Sequence, residues 1–199
     1  MSSPIPVRAI ALECAGVRLE PLEEAHRAGL RDAGRAEEIW AHMPYAARGS
    51  GFDAWFDHSL GASASGVEAI WAVRSAADGP LVGSTRFLAI EAAHRRVEIG
   101  STWYAREAWG TRVNPACKLA LMRYAFEDLG FNRVEYKTDI RNTRSQAAIA
   151  KLGAVREGVL RAHMVRPDGS LRDSVYFSVI ASEWPAVRER LAARLFAEV

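Results

Sequence analysis

"VEIGSTWYAREAWGTRVNPACKLALMRYAFEDLGFNRVEYKT", residues 97–138, changes its hydrophobic period twice, and the two changes decide the fold. Over 97–104 the residues alternate as in a strand, with Val97, Ile99, Ser101 and Trp103 on one face and Glu98, Gly100, Thr102 and Tyr104 on the other. From 114 the spacing is helical: Leu119, Met122, Phe126 and Leu129 make one stripe. Asn114 suits the N-cap, Pro115 the first helical position and Gly130 the stop. "NRVEYKTDI" then reads as a strand again.

Upstream, "AIWAVR" and "LVGSTRFLAI" are strands separated by the turn "SAADGP", so three consecutive strands form an antiparallel meander. Before them, "VRLEPL" is a short strand, "EEAHRAGLRDAGRAEEIWAHM" reads as helix with Gly29 and Gly34 as weak points, and "PYAARGSG" is turn-rich. "GFDAWFDHSLGA" places Phe52, Trp55, Phe56 and Leu60 on one helical face. Downstream, "NTRSQAAIAKLG" is a helix capped by Asn142 and stopped by Gly153. "REGVLRAHMV" and "DSVYFSVI" flank the turn "RPDGSL" as a hairpin, and "SEWPAVRERLAARLF" is a terminal helix with Trp184, Val187, Leu191 and Leu195 inward. The order predicts one α/β (α+β) domain: a mixed, mostly antiparallel sheet of about seven strands with helices on its faces. Residues 1–16 read as an N-terminal arm, loosest at "SSPIP", 17–181 as the domain, and 182–199 as a C-terminal helix packed on it.

With 49% hydrophobic and 25% charged residues the chain has the composition of one globular core. A net charge of +2, with no block of five or six like charges, points away from nucleic acid and from anionic membranes. No apolar run approaches the roughly 18 residues of a membrane span, and the N-terminus lacks the charged and apolar regions of a secretion signal. Cys14 and Cys117 have no metal-like spacing, so a reducing cytoplasm and no metal are expected. His26, His42, His58 and His94 read as surface residues, and Trp40, Trp55 and Trp71 as core.

A helix N-terminus presents free backbone N–H groups and partial positive charge, so a loop that admits a phosphate there makes an anion site. "WGTRVNP" is such a loop. It lacks the Gly-Lys-Ser/Thr ending of a P-loop and the G-x-G-x-x-G of a dinucleotide fold.

The "VEIGSTWY" strand, the loop, helix and strand after it, and "RNTRSQAAIAKLGAVREG" together resemble the GNAT N-acetyltransferase superfamily, in particular its ribosomal-protein-alanine N-acetyltransferase-like branch. The resemblance spans roughly residues 17–180 and implies a GNAT-like fold. It further implies acetyl-CoA as co-substrate, with the pyrophosphate on a Q/R-x-x-G-x-G/A loop. Laid on residues 107–112, that pattern meets only Gly110; Glu107 and Arg112 depart from it. The loop set is then Trp109, Gly110, Thr111, Arg112, Val113 and Asn114, with Thr102, Trp103 and Tyr104 along the strand. Arg112 has three open readings: a side chain turned outward that lends a charge-assisted phosphate contact, an obstruction where a left-handed glycine is required, or a surface arginine with no ligand. Asn142 and Ser145 fit a cap and a first-turn serine. The resemblance adds a contact from Asn142 to the pantetheine arm and a role for Ser145 in protonating the departing thiolate.

Transfer to an amine needs a neutral nucleophile, hence a base, and a donor for the developing oxyanion. By the resemblance the donor is backbone N–H of "GSTWY". Glu98 and His163 are the base candidates; a cross-strand ion pair for Glu98 and a hydrogen-bonded rim position for His163 stand beside those roles. Tyr176 is a further candidate to line the site, and residues 38–62 to cover the acceptor pocket. The expected activity is direct acetyl transfer to a peptide or protein N-terminal amine or to a small amine. A homodimer is open, and an acyl-CoA-binding module without turnover or an interaction protein without cofactor are the alternatives.

Overall fold

The alternation at 96–104 and 133–139 produces two adjacent strands, and the remaining strands extend the sheet on both sides. The computed structural model describes residues 6–43, 45, 47 and 49–196. Its strands are β1 (Leu12–Cys14), β2 (Val17–Pro21), β3 (Ala69–Arg74), β4 (Leu81–Glu91), β5 (Arg96–Tyr104), β6 (Arg133–Asp139), β7 (Val155–Val165) and β8 (Leu171–Ile180). They form one sheet in the order β1-β2-β3-β4-β5-β6-β8-β7. Every neighbouring pair is antiparallel except β5 and β6.

Helices α1 (Arg27–Ala33) and α2 (Gly51–Ala64) pack on β4 and β3. Helix α3 (Val113–Arg123) packs on β1, β2 and α5 (Trp184–Phe196), while α4 (Thr143–Leu152) lies on β6 and β8. Two hydrophobic clusters result. Trp71, Phe87, Val97, Ile99, Leu121 and Val175 belong to the larger; Trp40, Phe52, Trp55, Phe56 and Trp103 belong to the smaller, under α1 and α2. Among the described residues no helix is long and apolar enough to cross a membrane.

The sheet has eight strands rather than about seven, because the end of the expected arm is β1. The chain reverses at Ala15 and Gly16, both with positive φ, so that Leu12 and Cys14 turn into the core opposite Leu19 and Val17. The Trp71 indole donates to the Ile10 carbonyl at 2.7 Å and the Tyr124 hydroxyl to that of Arg8 at 3.0 Å, tying the segment before β1 to the sheet. Residues 1–5, which hold most of "SSPIP", lie outside the described residues, as do 44, 46 and 48 of the turn-rich stretch and 197–199 of the terminal segment.

The helical reading of 23–43 also breaks. Helix α1 stops at Gly34, where the Trp40 indole donates to the Gly34 carbonyl at 2.8 Å and lies so close that a Cβ on the glycine would stand 3.0 Å from the ring. Helix α3 begins at Val113, with Arg112 as its N-cap, two residues before the expected start. Ala116 N–H already donates to the Arg112 carbonyl at 3.0 Å, so Pro115 is third in the helix, where its missing N–H has no intrahelical partner to lose.

Candidate active site

Strands β5 and β6 pair only from Arg96–Glu98 to Arg133–Glu135 and then part. The opening is a cavity of about 320 Å³, within the range of small-molecule sites. Its walls include Ser101 and Thr102 from β5, Lys137 and Thr138 from β6, and Gly110 and Asn114 at the start of α3.

A β-bulge shapes the β5 wall. Arg86 pairs with Gly100 and Ser84 with Trp103, so β5 carries one residue more than β4, and Ser101 takes φ +45. Ser101 and Thr102 therefore have no register partner on either side. The extra residue reverses the expected faces: Tyr104 joins Val97 and Ile99 in the larger core, and Trp103 turns into the smaller one. Strict alternation from Val97 to Trp103 is overturned because period two holds only while neighbouring strands stay in step.

The loop before α3 turns at Gly110, whose φ is +75. Arg112 has φ −68 and ψ −13, an ordinary right-handed backbone, so its position makes no demand for glycine. Its guanidinium lies over the β1–β2 turn, with Nη2 3.7 Å from where a Cβ on Gly16 would stand. No side chain caps α3 through Arg112; Thr111 Oγ1 receives the Val113 N–H at 3.3 Å and donates to the Ala108 carbonyl at 2.7 Å. Trp109, Gly110 and Asn114 line the cavity, whereas exposed Thr111 and Arg112 and buried Val113 do not. The Trp109 indole donates to the Tyr104 carbonyl at 2.8 Å, and the Arg144 guanidinium of α4 sits 3.7 Å from the centre of its ring. This cation–π contact joins the two helix starts that border the cavity.

The α4 start follows the sequence reading. Asn142 Oδ1 accepts the Ser145 N–H at 3.0 Å, and both residues line the cavity. Thr102, Trp103 and Tyr104 line it too. The Thr102 hydroxyl, however, is tied to that of Thr85 at 2.7 Å, and the Tyr104 hydroxyl is buried.

Glu98 is 4% exposed, and Lys137 Nζ stands 3.1 Å from it. Burial raises the carboxyl pKa, with the Lys137 ammonium pulling the other way. His163 lies outside the cavity lining: its Nδ1 is 3.0 Å from Ser174 Oγ and its ring meets Tyr176 edge-on at 5.7 Å. Burial first, then the charges of Lys137 and Arg172, lower its pKa.

Three residues of this region carried no role in the sequence reading. Lys118 of α3 is 5% exposed and lines the cavity, donating to Thr102 Oγ1 at 2.6 Å and Thr85 Oγ1 at 3.3 Å. Burial takes its pKa down to about 8. One signal was present: a lysine within the otherwise apolar run from Ala116 to Met122. Arg172 of β8, also 5% exposed, lines the cavity, and nothing in its local sequence marks it. His42 lines it as well, with a buried Nδ1 that has no partner among the described residues, and His26 is buried against Glu20 at 3.0 Å. His26 is therefore not a surface residue and His42 is half-buried; His58 and His94 are exposed. Cys14 and Cys117 are free and buried, and burial raises the Cys117 thiol to about 12.

The family model for the acetyltransferase (GNAT) domain matches residues 17–155. A solved structure of a GCN5-related N-acetyltransferase from Brucella melitensis superimposes with a TM-score of 0.86 at 30% identity, covering 96% of this chain and 87% of that one. The Bacillus subtilis (strain 168) protein named "Putative ribosomal N-acetyltransferase YdaF" is 34% identical over 107 residues, 54% of this chain and 57% of that protein. The chain thus spans little more than half the length of that curated relative. Mycobacterium smegmatis RimJ, solved in complex with CoA-disulfide, shares the fold with a TM-score of 0.78 at 22% identity, over 98% of this chain and 97% of that one. The chain belongs to the GNAT acetyltransferase family.

Proposed function

We propose that this member of the GNAT family is an acetyl-CoA-dependent N-acetyltransferase that passes acetyl directly to the amine of a peptide or protein N-terminus or of a small molecule. One observation carries the reading: the strands part beside the start of α3, where among the described residues the Val113 N–H meets Thr111 Oγ1 and the Arg112 and Asn114 N–H groups meet no acceptor. The N–H groups of Thr111, Arg112 and Asn114, turned by Gly110, suit a pyrophosphate, while that of Val113 is taken by Thr111 Oγ1 and the Arg112 charge lies nearby. Thr102 to Tyr104, Trp109 and Asn142 suit the pantetheine arm.

When bound, acetyl-CoA supplies the activated thioester. Glu98 takes the ammonium proton of the acceptor, the step for which burial-raised basicity suits it. Backbone N–H at the Ser101 bulge stabilises the charge that develops on the carbonyl oxygen. The Ser145 hydroxyl hands a proton to the departing sulfur and recovers one from the acylated nitrogen. A Cys117 thiol raised to about 12 is no thiolate at neutral pH, which favours direct attack over an acyl-cysteine route. The buried free cysteines suit a reducing cytoplasm. A CoA cradle without turnover had its ground in Glu107 and Arg112, and the right-handed backbone at Arg112 weakens that ground.

CoA-thiol release over a panel of amines tests the base. Glu98→Gln is expected to lower kcat/KM by about 100-fold near pH 7, with partial recovery at high pH where the amine deprotonates unaided. His163→Ala is expected to stay within about three-fold of wild type. Wild-type turnover in Glu98→Gln removes Glu98 from the role, and no acetyl-CoA binding at millimolar concentration removes the transferase reading.

A further inference from the structure

Arg172 is a buried cation that no anion among the described residues grips. It is 5% exposed, faces the cavity shared with Glu98 and Lys137, and has a buried Nε without a partner. Among the described residues its guanidinium donates no hydrogen bond and forms no ion pair. Neighbouring carboxylates are engaged elsewhere. Asp139 is gripped by Arg166, with Nε to Oδ2 at 2.9 Å and Nη2 to Oδ1 at 3.2 Å, and receives the Arg141 N–H at 2.9 Å. Glu98 is held by Lys137. Desolvation acts against the Arg172 charge, and an arginine does not escape that cost by losing its proton. A planar fork in the cavity wall, free on its Nε side, matches a group that accepts two parallel hydrogen bonds. The nearby charges of Glu98 and Asp139 disfavour a dianion and leave a singly charged carboxylate as the fitting partner.

We infer that Arg172 forms a carboxylate-binding subsite on the amine side of the cavity, so that the substrates bring a carboxylate to the reaction. It comes either on the acceptor, as in a free amino acid, or at the far end of the acyl chain, as in a dicarboxylic acyl-CoA. The inference rests on the transferase reading above: a carboxylate on the acceptor narrows the acceptor class, and one on the acyl chain replaces acetyl as the transferred group.

Two binding comparisons by calorimetry separate the sources and do not depend on turnover. One sets succinyl-CoA against acetyl-CoA. The other sets N-acetylglycine against N-acetylglycinamide on CoA-saturated protein. At least one pair is expected to show a preference of about ten-fold or more for the carboxylate form, the scale of a charge-assisted contact. Arg172→Met is expected to abolish it and Arg172→Lys to retain part of it, while acetyl-CoA affinity stays within about two-fold of wild type in both variants. A preference below about two-fold in both pairs, or one that survives Arg172→Met, overturns the subsite. If acetyl-CoA itself does not bind, the transferase reading fails, and the N-acetylglycine comparison on the free protein still decides whether Arg172 holds a carboxylate. Circular dichroism melts of both variants establish that each is folded.

Discussion

Helices α3 and α4 both begin at the cavity and differ in what their first turns leave free. At α4 the Asn142 side chain closes on the Ser145 N–H, whereas α3 starts from Arg112 with no cap from that residue's side chain. The contrast continues one turn in. The sixth residue of α3 is Lys118 and the sixth of α4 is Ala148, and both line the cavity. One border therefore brings open donors and a buried ammonium, the other a closed turn and a methyl group. On the proposed reading the anion goes to the first and the uncharged arm of the ligand to the second, because only unsatisfied donors gain from binding.

Gly110→Val should break the contrast most strongly. A branched residue resists φ +75 although a Cβ there meets nothing within 4 Å, so the loop must reshape rather than merely crowd. CoA affinity by calorimetry is expected to fall about 100-fold, with Gly110→Asn retaining most of it because asparagine tolerates the left-handed region.

Lys118→Met removes the charge that sets α3 apart. Its pKa is about 8 in the fold, against about 10.4 in the unfolded chain. Below pH 8 both states hold the proton and the fold bears the full cost of burying it; between the two values only the unfolded chain does, so wild-type stability rises with pH across that window. The substitution is therefore expected to stabilise the protein at pH 7, by at most on the order of 3 kcal/mol less the lost threonine contacts. The gain should shrink towards pH 10. Thermal melts at both pH values check it, and a lower midpoint at pH 7 would show that the hydrogen bonds to Thr85 and Thr102 outweigh desolvation.

Asn142→Ala opens α4. Loss of the cap is expected to cost about 1 kcal/mol, or roughly 2–4 °C in midpoint for a chain of this size. CoA affinity should fall about ten-fold if the amide also reaches the pantetheine arm; an unchanged affinity reduces Asn142 to a cap. The smallest effect is expected from Arg112→Ala. The guanidinium is exposed over Gly16, so CoA affinity at 0.15 M salt should change by less than about five-fold, with a larger loss at low ionic strength. A gain in affinity would show that the arginine obstructs.

Much of the fold was legible because its signals are local. The strand read over 96–104 is β5 although its alternation breaks at the bulge, "AIWAVR" is β3, Asn142 caps α4, and Gly153 ends it in a left-handed conformation. Strand β1 escaped notice because three residues carry too little alternation to stand out. Glu98, Asn142 and Ser145 are legible from motif and position, and they line one cavity; Lys118 and Arg172 line it with no role read from the sequence, and His42 lines it although it reads there as a surface residue.

Element types and caps depend on spacings of two to four residues, and the sequence by itself determined them here. The bulge at Ser101, the parting of β5 from β6 and the isolation of Arg172 depend on strands brought together from distant parts of the chain. The interior sets a high cost on any polar group left unpaired, and which groups are left so is known only once all the partners have been placed. That is why the tertiary structure alone decided which face of β5 meets the cavity and which buried cation there pairs with no anion among the described residues.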